Sequence, residues 1–215
     1  MSRDPYRRLY EDSEIFALHL ARRAAGPTLT ADTADALHDL AVRHPPLVAD
    51  DAAIALTGAL ARLACTALRA ASLHHHPLAA RLLGDQPTPS AAHLREITGV
   101  LDRLDHGLLS TDPTTLGHCF VELVRLALAE QLPGGRSLHE SAAEPFSYAL
   151  AGDQAPGTAL APLVTRAAHI TLTCLHHLLG PDSNGGPHGG AALDQILDGF
   201  ELHKITQQAT ATGTP

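Results

Sequence analysis

Residues 51–75 read DAAIALTGALARLACTALRAASLHH, and this stretch decides the fold. Most of its residues are Ala and Leu, which lead the helix-propensity ranking, whereas strands favour β-branched and aromatic side chains. Projected at about 100° per residue, the stretch is apolar nearly all round, which is typical of a helix buried on every side. We therefore predict a central, buried helix over residues 51–75.

The rest of the chain has the same character, because 45% of the 215 residues are hydrophobic and only 3% are aromatic. A capping residue followed by proline marks three helix starts, at Asp4-Pro5, Thr88-Pro89 and Asp112-Pro113. This length suits one helical domain with a substantial core. We predict an all-α, single-domain bundle of about eight helices. The expected helices cover residues 5–25, 31–43 after a Thr30 cap, 51–75, 89–106, 113–131, two short pieces within 137–150, 158–179 and 191–205.

Residues 180–190, GPDSNGGPHGG, carry the strongest linker signal in the chain, since they combine glycine, proline and short polar residues without an apolar anchor. They define the predicted domain organisation. We expect a bundle domain at 1–180, a flexible linker at 181–190, an amphipathic C-terminal helix at 191–206 and a disordered tail at 207–215.

Charge and cysteine usage narrow the function classes. The formal net charge of −8 argues against a nucleic-acid-binding surface, which needs a concentrated positive field. The N-terminus is charged and lacks an apolar signal region, so we predict a cytoplasmic protein. The most apolar stretch is interrupted by Arg62 and Arg69, which argues against a membrane span. The three cysteines lie singly in predicted helices, without metal-type spacing, and are predicted to be buried reduced thiols.

Arg62 and Arg69 share one polar stripe along the predicted central helix. Arginine is rarely buried without partners, so these two need carboxylates, backbone carbonyls or an anionic ligand. We favour structural pairing or emergence at the surface, with an anion-binding groove as the alternative.

The predicted helix over 113–131 carries a narrow polar stripe of His118, Glu122 and Arg125 on a wide apolar arc. A His and a Glu four residues apart have the spacing to share a metal or to exchange a proton. This His-x-x-x-Glu pattern resembles metal-binding helical bundles of the hemerythrin and DinB type. The resemblance covers only these two positions, because the paired histidines of those families are missing from the neighbouring helices. A solvated ion pair is the favoured interpretation.

Three further patterns involve histidine or acidic residues. Arg69 and His74 resemble the Arg-x4-6-His motif of HEPN ribonucleases, which are small helical dimers. His169 and His176 lie opposite the apolar face of the predicted helix over 158–179, so they should point to solvent or to a partner. An acidic stripe on the last helix is interpreted as its solvated side; it consists of Asp194, Asp198 and Glu201.

These observations lead to three functional hypotheses. The first is a helical binding or regulatory module without a cofactor or metal, which recognises a protein partner or a small anionic ligand. Its ligand would lie in the seam between the helices over 51–75 and 113–131. The anion contacts would be Arg62, Arg69 and Arg125, with His118 and Glu122 as orienting groups.

The second hypothesis is a helical-bundle enzyme that uses His and carboxylate side chains, either with a metal or as a HEPN-like ribonuclease. The third is a homo-oligomer that associates through apolar surface on the first or last helix. The sequence leaves the question of enzymatic activity open.

Overall fold

The computed structural model describes residues 5–45, 49–72, 89–111, 115–150, 160–179 and 187–212. Within these ranges all regular secondary structure is helical, which confirms the predicted all-α bundle. The described helices are α1 (Pro5–Arg23), α2 (Leu29–Arg43), α3 (Ala49–Ser72), α4 (Ala91–Thr111), α5 (Leu116–Glu130), α6 (Leu138–Ser141), α7 (Ala143–Leu150), α8 (Leu160–Leu179) and α9 (Pro187–Thr212).

Helix α3 lies at the centre, as predicted, with α8, α1 and α5 packed around it. Its leucines are almost completely buried, and its many alanines let the neighbouring helices approach closely. Thr171 of α8 also donates a hydrogen bond to the Leu60 carbonyl of α3, at 3.3 Å. Residues 50–72 are long and apolar enough to cross a membrane, yet 78% of their most apolar window is buried inside the bundle.

The predicted helix starts are only partly correct. Helix α1 begins at Pro5, as expected. Helix α4 begins two residues after Pro89, because the Ser90 hydroxyl accepts a hydrogen bond from the His93 N–H (3.3 Å) and so forms the N-terminal cap. Helix α2 begins before the predicted Thr30 cap, because the Thr28 carbonyl already accepts the Asp32 N–H at 2.9 Å.

The predicted start of α5 is wrong, whereas the two short helices predicted after it are present. Helix α5 begins at Leu116 instead of Pro113, and residues 112–114 lie outside the described part of the chain. The two short pieces expected between 137 and 150 are α6 and α7. The predicted capping box is present there, since the Ser137 hydroxyl accepts a hydrogen bond from the Glu140 N–H at 3.3 Å.

Helix α9 is longer than predicted at both ends. It begins at Pro187, inside the expected linker, because proline is well suited to the first helical position. It continues to Thr212, six residues past the expected end at 206, because no strong helix breaker occurs before Gly213. The rest of the predicted linker and tail, at 181–186 and 213–215, lies outside the described residues.

The three cysteines are buried and free, as predicted. Burial raises the pKa of Cys65 and of Cys174 to about 12 and also raises the pKa of Cys119. These thiols therefore stay protonated and behave as small apolar core residues.

Candidate functional site

Arg62, one of the predicted anion contacts, pairs with Glu130 at the end of α5. Its Nε and Nη2 atoms donate to the two carboxylate oxygens at 2.9 and 3.0 Å, a bidentate arrangement. The Leu138 N–H donates to the same carboxylate at 2.9 Å. Burial raises the pKa of Glu130, but the hydrogen bonds from Arg62 and Leu138 outweigh it, and this pKa lies below its ordinary value. The pair therefore ties α3 to α5 and to the start of α6.

Arg69 lies two turns further along α3 and is only 7% exposed. Its Nη1 atom donates to the side-chain oxygen of Gln131, the residue that follows α5. Burial lowers the pKa of Arg69, although a guanidinium remains charged in a protein. His74, the second member of the HEPN-like pattern, lies outside the described residues.

The other three predicted site residues face α4. The Nδ1 atom of His118 lies 2.7 Å from a carboxylate oxygen of Asp105. Arg125 donates to Asp102 at 2.9 Å and also pairs with Glu122 at 3.0 Å. These pairs lie at the surface, where ion pairs contribute little to stability.

The predicted seam is thus divided between two places, and its five residues do not converge. The reason is the angular position of Glu130 on α5. Twelve residues separate it from His118, which corresponds to about 120° around a helix of 3.6 residues per turn. Arg62 therefore meets a carboxylate that lies well away from the polar stripe on which the prediction was based.

Other histidines also have partners. The buried side chain of His44 lies 3.0 Å from a carboxylate oxygen of Asp12, and the Tyr10 hydroxyl lies 2.6 Å from Nδ1 of His139. Among the described residues, no group of three or more His, Cys, Asp or Glu side chains is arranged to hold a metal ion.

The acidic stripe of α9, interpreted above as a solvated side, partly faces α1. Arg22 donates to Asp198 and to Glu201, the latter at 2.7 Å, and His19 lies 3.3 Å from Glu201. The hydrogen bond from Arg22 lowers the pKa of Glu201. Two of the three stripe residues therefore attach α9 to the bundle, beside an apolar contact formed by Leu193, Ile196, Leu197 and Phe200.

An open groove of about 340 Å³ runs between α4 and α8. Its cationic side chains are Arg103 from α4 and Arg166 from α8, with His169 beside them. Its apolar residues are Leu104, Leu108 and Ile170, and Gly107 and Thr173 complete the lining. None of these residues is acidic, so the lining carries only positive or neutral groups.

The sequence of α8 explains this charge. Residues 160–179, LAPLVTRAAHITLTCLHHLL, contain no Asp or Glu, although the chain as a whole has a net charge of −8. On α4, the carboxylates of Asp102 and Asp105 point to α5, where Arg125 and His118 hold them. These two carboxylates therefore do not pair with the positive side chains of the groove.

Within the part of the chain that the structure describes, Arg103 forms no ion pair. Its guanidinium instead extends back along α4 to Gly99, where an added Cβ atom would lie 3.6 Å from Nη1. The side chain is exposed and belongs to no core contact. It is therefore free to turn towards a ligand in the groove.

A second groove, of about 420 Å³, lies between α1 and α2 and has mixed charge. Its lining includes Arg22 and Arg23, but Arg22 is held by α9 and Arg23 by Asp32. Asp35 and Asp39 line the same groove. Opposite charges so close together leave no dominant sign for a ligand to recognise.

Sequence reasoning missed the α4–α8 groove, although two signals for it were present. The prediction that His169 points to solvent or to a partner is consistent with its exposed position at the edge of the groove. The absence of acidic residues from residues 160–179 was the second clue. Arg103 gave no signal, because nothing in a sequence indicates that α4 and α8 line the same groove.

A comparison with protein-family models, curated protein sequences and solved structures finds no match to this chain. The proposals below therefore depend on its own residues and their geometry.

Proposed function

We propose that this protein is a helical binding module for a small anionic ligand, which lies in the groove between α4 and α8. The observation that carries the proposal is the lining of this groove, in which the described residues include Arg103, Arg166 and His169 and no carboxylate. Its volume of about 340 Å³ is within the range of small-molecule sites.

Electrostatics supports an anion as the ligand. A cleft lined by one sign of charge raises the local concentration of ions of the opposite sign. Arginine is also well suited to bind a carboxylate or phosphate through two parallel hydrogen bonds. In a protein of net charge −8, a positive cleft is a local exception that favours anions at this place over the rest of the surface.

The groove replaces the seam predicted from the sequence as the preferred site. In that seam, Arg62 and Arg69 are already bound to Glu130 and Gln131, and Arg125 to Asp102. An anion would have to displace these internal partners before it gained a contact. The enzyme, protein-partner and oligomer hypotheses gain no comparable observation and stay predictions.

Titration of the ¹⁵N-labelled protein with benzoate and with inorganic phosphate, followed by NMR, tests the proposal. We expect saturable amide shifts confined to α4 and α8. Replacement of Arg103 by Glu should weaken binding at least about tenfold, because hydrogen bonds to charged groups contribute about 1.5–3 kcal/mol and 1.4 kcal/mol is a factor of ten.

Arg95→Glu is the matched control, because Arg95 is also exposed on α4 but lies nine residues before Leu104, about 180° around the helix. It changes the net charge equally and should leave binding unchanged. If both variants weaken binding to the same extent, only the overall charge matters and the proposed site is wrong.

A further inference from the structure

We infer that the ligand of the α4–α8 groove is an alkyl carboxylate of about eight chain atoms, an inference that depends on the function proposed above. The groove has two kinds of lining: cationic groups for a carboxylate, and apolar side chains for a hydrocarbon tail. A simple inorganic anion would use only the first kind.

The apolar part of the groove consists of Leu104, Leu108 and Ile170. Leu104 and Leu108 are one turn apart on α4 and partly buried, and Ile170 of α8 is 5% exposed. All three belong to the lining of the groove. Covering them with a hydrocarbon tail favours binding in proportion to the apolar area removed from water.

The length of the groove sets the length of the tail. Along α8 it extends from Arg166 to Thr173, seven residues or about 10 Å at 1.5 Å per residue. An extended chain advances about 3.6 Å over three bonds, or about 1.2 Å per bond. About eight bonds therefore span the groove, which points to a tail near the length of octanoate.

Gly107 lines the groove on its α4 side and carries no side chain that would fill it. A Cβ atom added there would meet nothing within 4 Å. Glycine within a helix costs about 1 kcal/mol relative to alanine. Because Gly107 belongs to the groove lining, we expect a larger side chain at position 107 to occupy the space assigned to the tail.

Calorimetric titration with acetate, butyrate, hexanoate, octanoate and decanoate tests the inferred tail. Each methylene that enters the groove contributes up to about 0.8 kcal/mol, which is about a fourfold gain in affinity. We expect affinity to rise up to octanoate and then to level off. Neutral 1-octanol should bind at least about tenfold more weakly than octanoate, because its hydroxyl carries no charge and cannot form a bidentate ion pair with Arg103.

Gly107→Leu blocks the groove and should abolish the chain-length dependence. The melting temperature should stay the same or rise, because leucine is a better helix former. Gly190→Leu is the matched control: Gly190 lies in α9, and an added Cβ there also meets nothing within 4 Å. This control adds the same apolar group elsewhere and should leave octanoate binding unchanged.

The outcomes separate this inference from the proposed function. If benzoate and phosphate bind through Arg103 but affinity is independent of tail length, the anion site stands and the inferred tail is wrong. Binding of octanoate and octanol with equal affinity, unaffected by Arg103→Glu, would contradict the anion site itself. Equal binding of octanoate to Gly107→Leu and to the unaltered protein would also overturn the inference.

Discussion

Arg62 in the α3–α5 contact and Arg103 in the α4–α8 groove are two arginines in opposite situations. In the contact, Arg62 faces Glu130 in a bidentate pair, and the N–H of Leu138 adds a third hydrogen bond. In the groove, Arg103 forms no ion pair with any described residue, and the described lining contains no carboxylate. An arginine on a polar stripe is therefore a binding candidate only when the neighbouring helix brings no carboxylate to it.

The largest expected effect comes from breaking the α3–α5 contact with Glu130→Ala. This change leaves the half-buried Arg62 and the Leu138 N–H without their acceptor. Both ionic side chains keep some solvent contact. We therefore expect the free energy of unfolding to fall by about 2 kcal/mol, which lies between the losses typical of surface and of buried ion pairs. Thermal unfolding should show a decrease of about 4–8 °C.

The combined replacement Arg62→Leu and Glu130→Leu is the control for this effect. Replacing both partners of such a pair by apolar groups is often neutral. A double variant as unstable as Glu130→Ala would mean that the loss arises from the helix end and not from the unpaired guanidinium.

Arg22→Ala removes a second ionic contact, between α1 and α9. Because the partners of Arg22 are partly exposed, the free energy of unfolding should fall by about 1 kcal/mol. The loss should concentrate in α9, whose amides should exchange hydrogen faster. Arg23→Ala is the neighbouring control, because Arg23 pairs with Asp32 of α2 instead. Equal exchange of α9 in both variants would contradict a role of Arg22 in holding this helix.

Acidification should weaken the α3–α5 contact by less than Glu130→Ala, because a protonated carboxyl still accepts hydrogen bonds. The pKa of Glu130 is lower in the folded protein than in the unfolded chain. Its contribution is therefore complete above the unfolded pKa of about 4.3 and is lost as the pH falls through the folded pKa. Urea unfolding between pH 7 and pH 3 should show a smaller acid-induced loss in the Arg62→Leu, Glu130→Leu variant than in the unaltered protein.

The smallest effect is expected for Arg125→Ala, which tests an arginine that is paired at the surface. Arg125 pairs with Asp102 at the surface, so the expected loss of stability is about 0.5 kcal/mol or less. Binding of benzoate in the NMR titration should not change. Weaker binding with unchanged stability would instead restore Arg125 as a ligand contact.

Much of the fold followed from local signals. The buried helix over 51–72, the capping box at Ser137 and the separation of α6 from α7 were all predicted from neighbouring residues. The start of α4 and the ends of α9 were less accurate. Helix α4 is capped by Ser90, so it begins after Pro89 and not at it. Helix α9 continues to Thr212 because no helix-breaking residue occurs before Gly213.

The candidate site was much less predictable. Arg62, Arg69, His118, Glu122 and Arg125 were grouped because each lies on a polar stripe of a central helix. In the structure, the polar stripe of α5 faces Asp102 and Asp105 of α4. Arg62 instead pairs with Glu130, which lies on another side of α5.

The sequence by itself determined that this chain forms helices, that α3 is buried, and that α8 carries cations without carboxylates. These properties depend on residue type and on spacing within one segment, which a sequence contains in full. Only the tertiary structure decided which charges neutralise each other. An ion pair forms across a few ångströms between residues far apart in the chain, such as Arg62 and Glu130, and the packing of the helices sets that distance. The same packing placed Arg103 of α4 and Arg166 of α8 in the lining of one open groove.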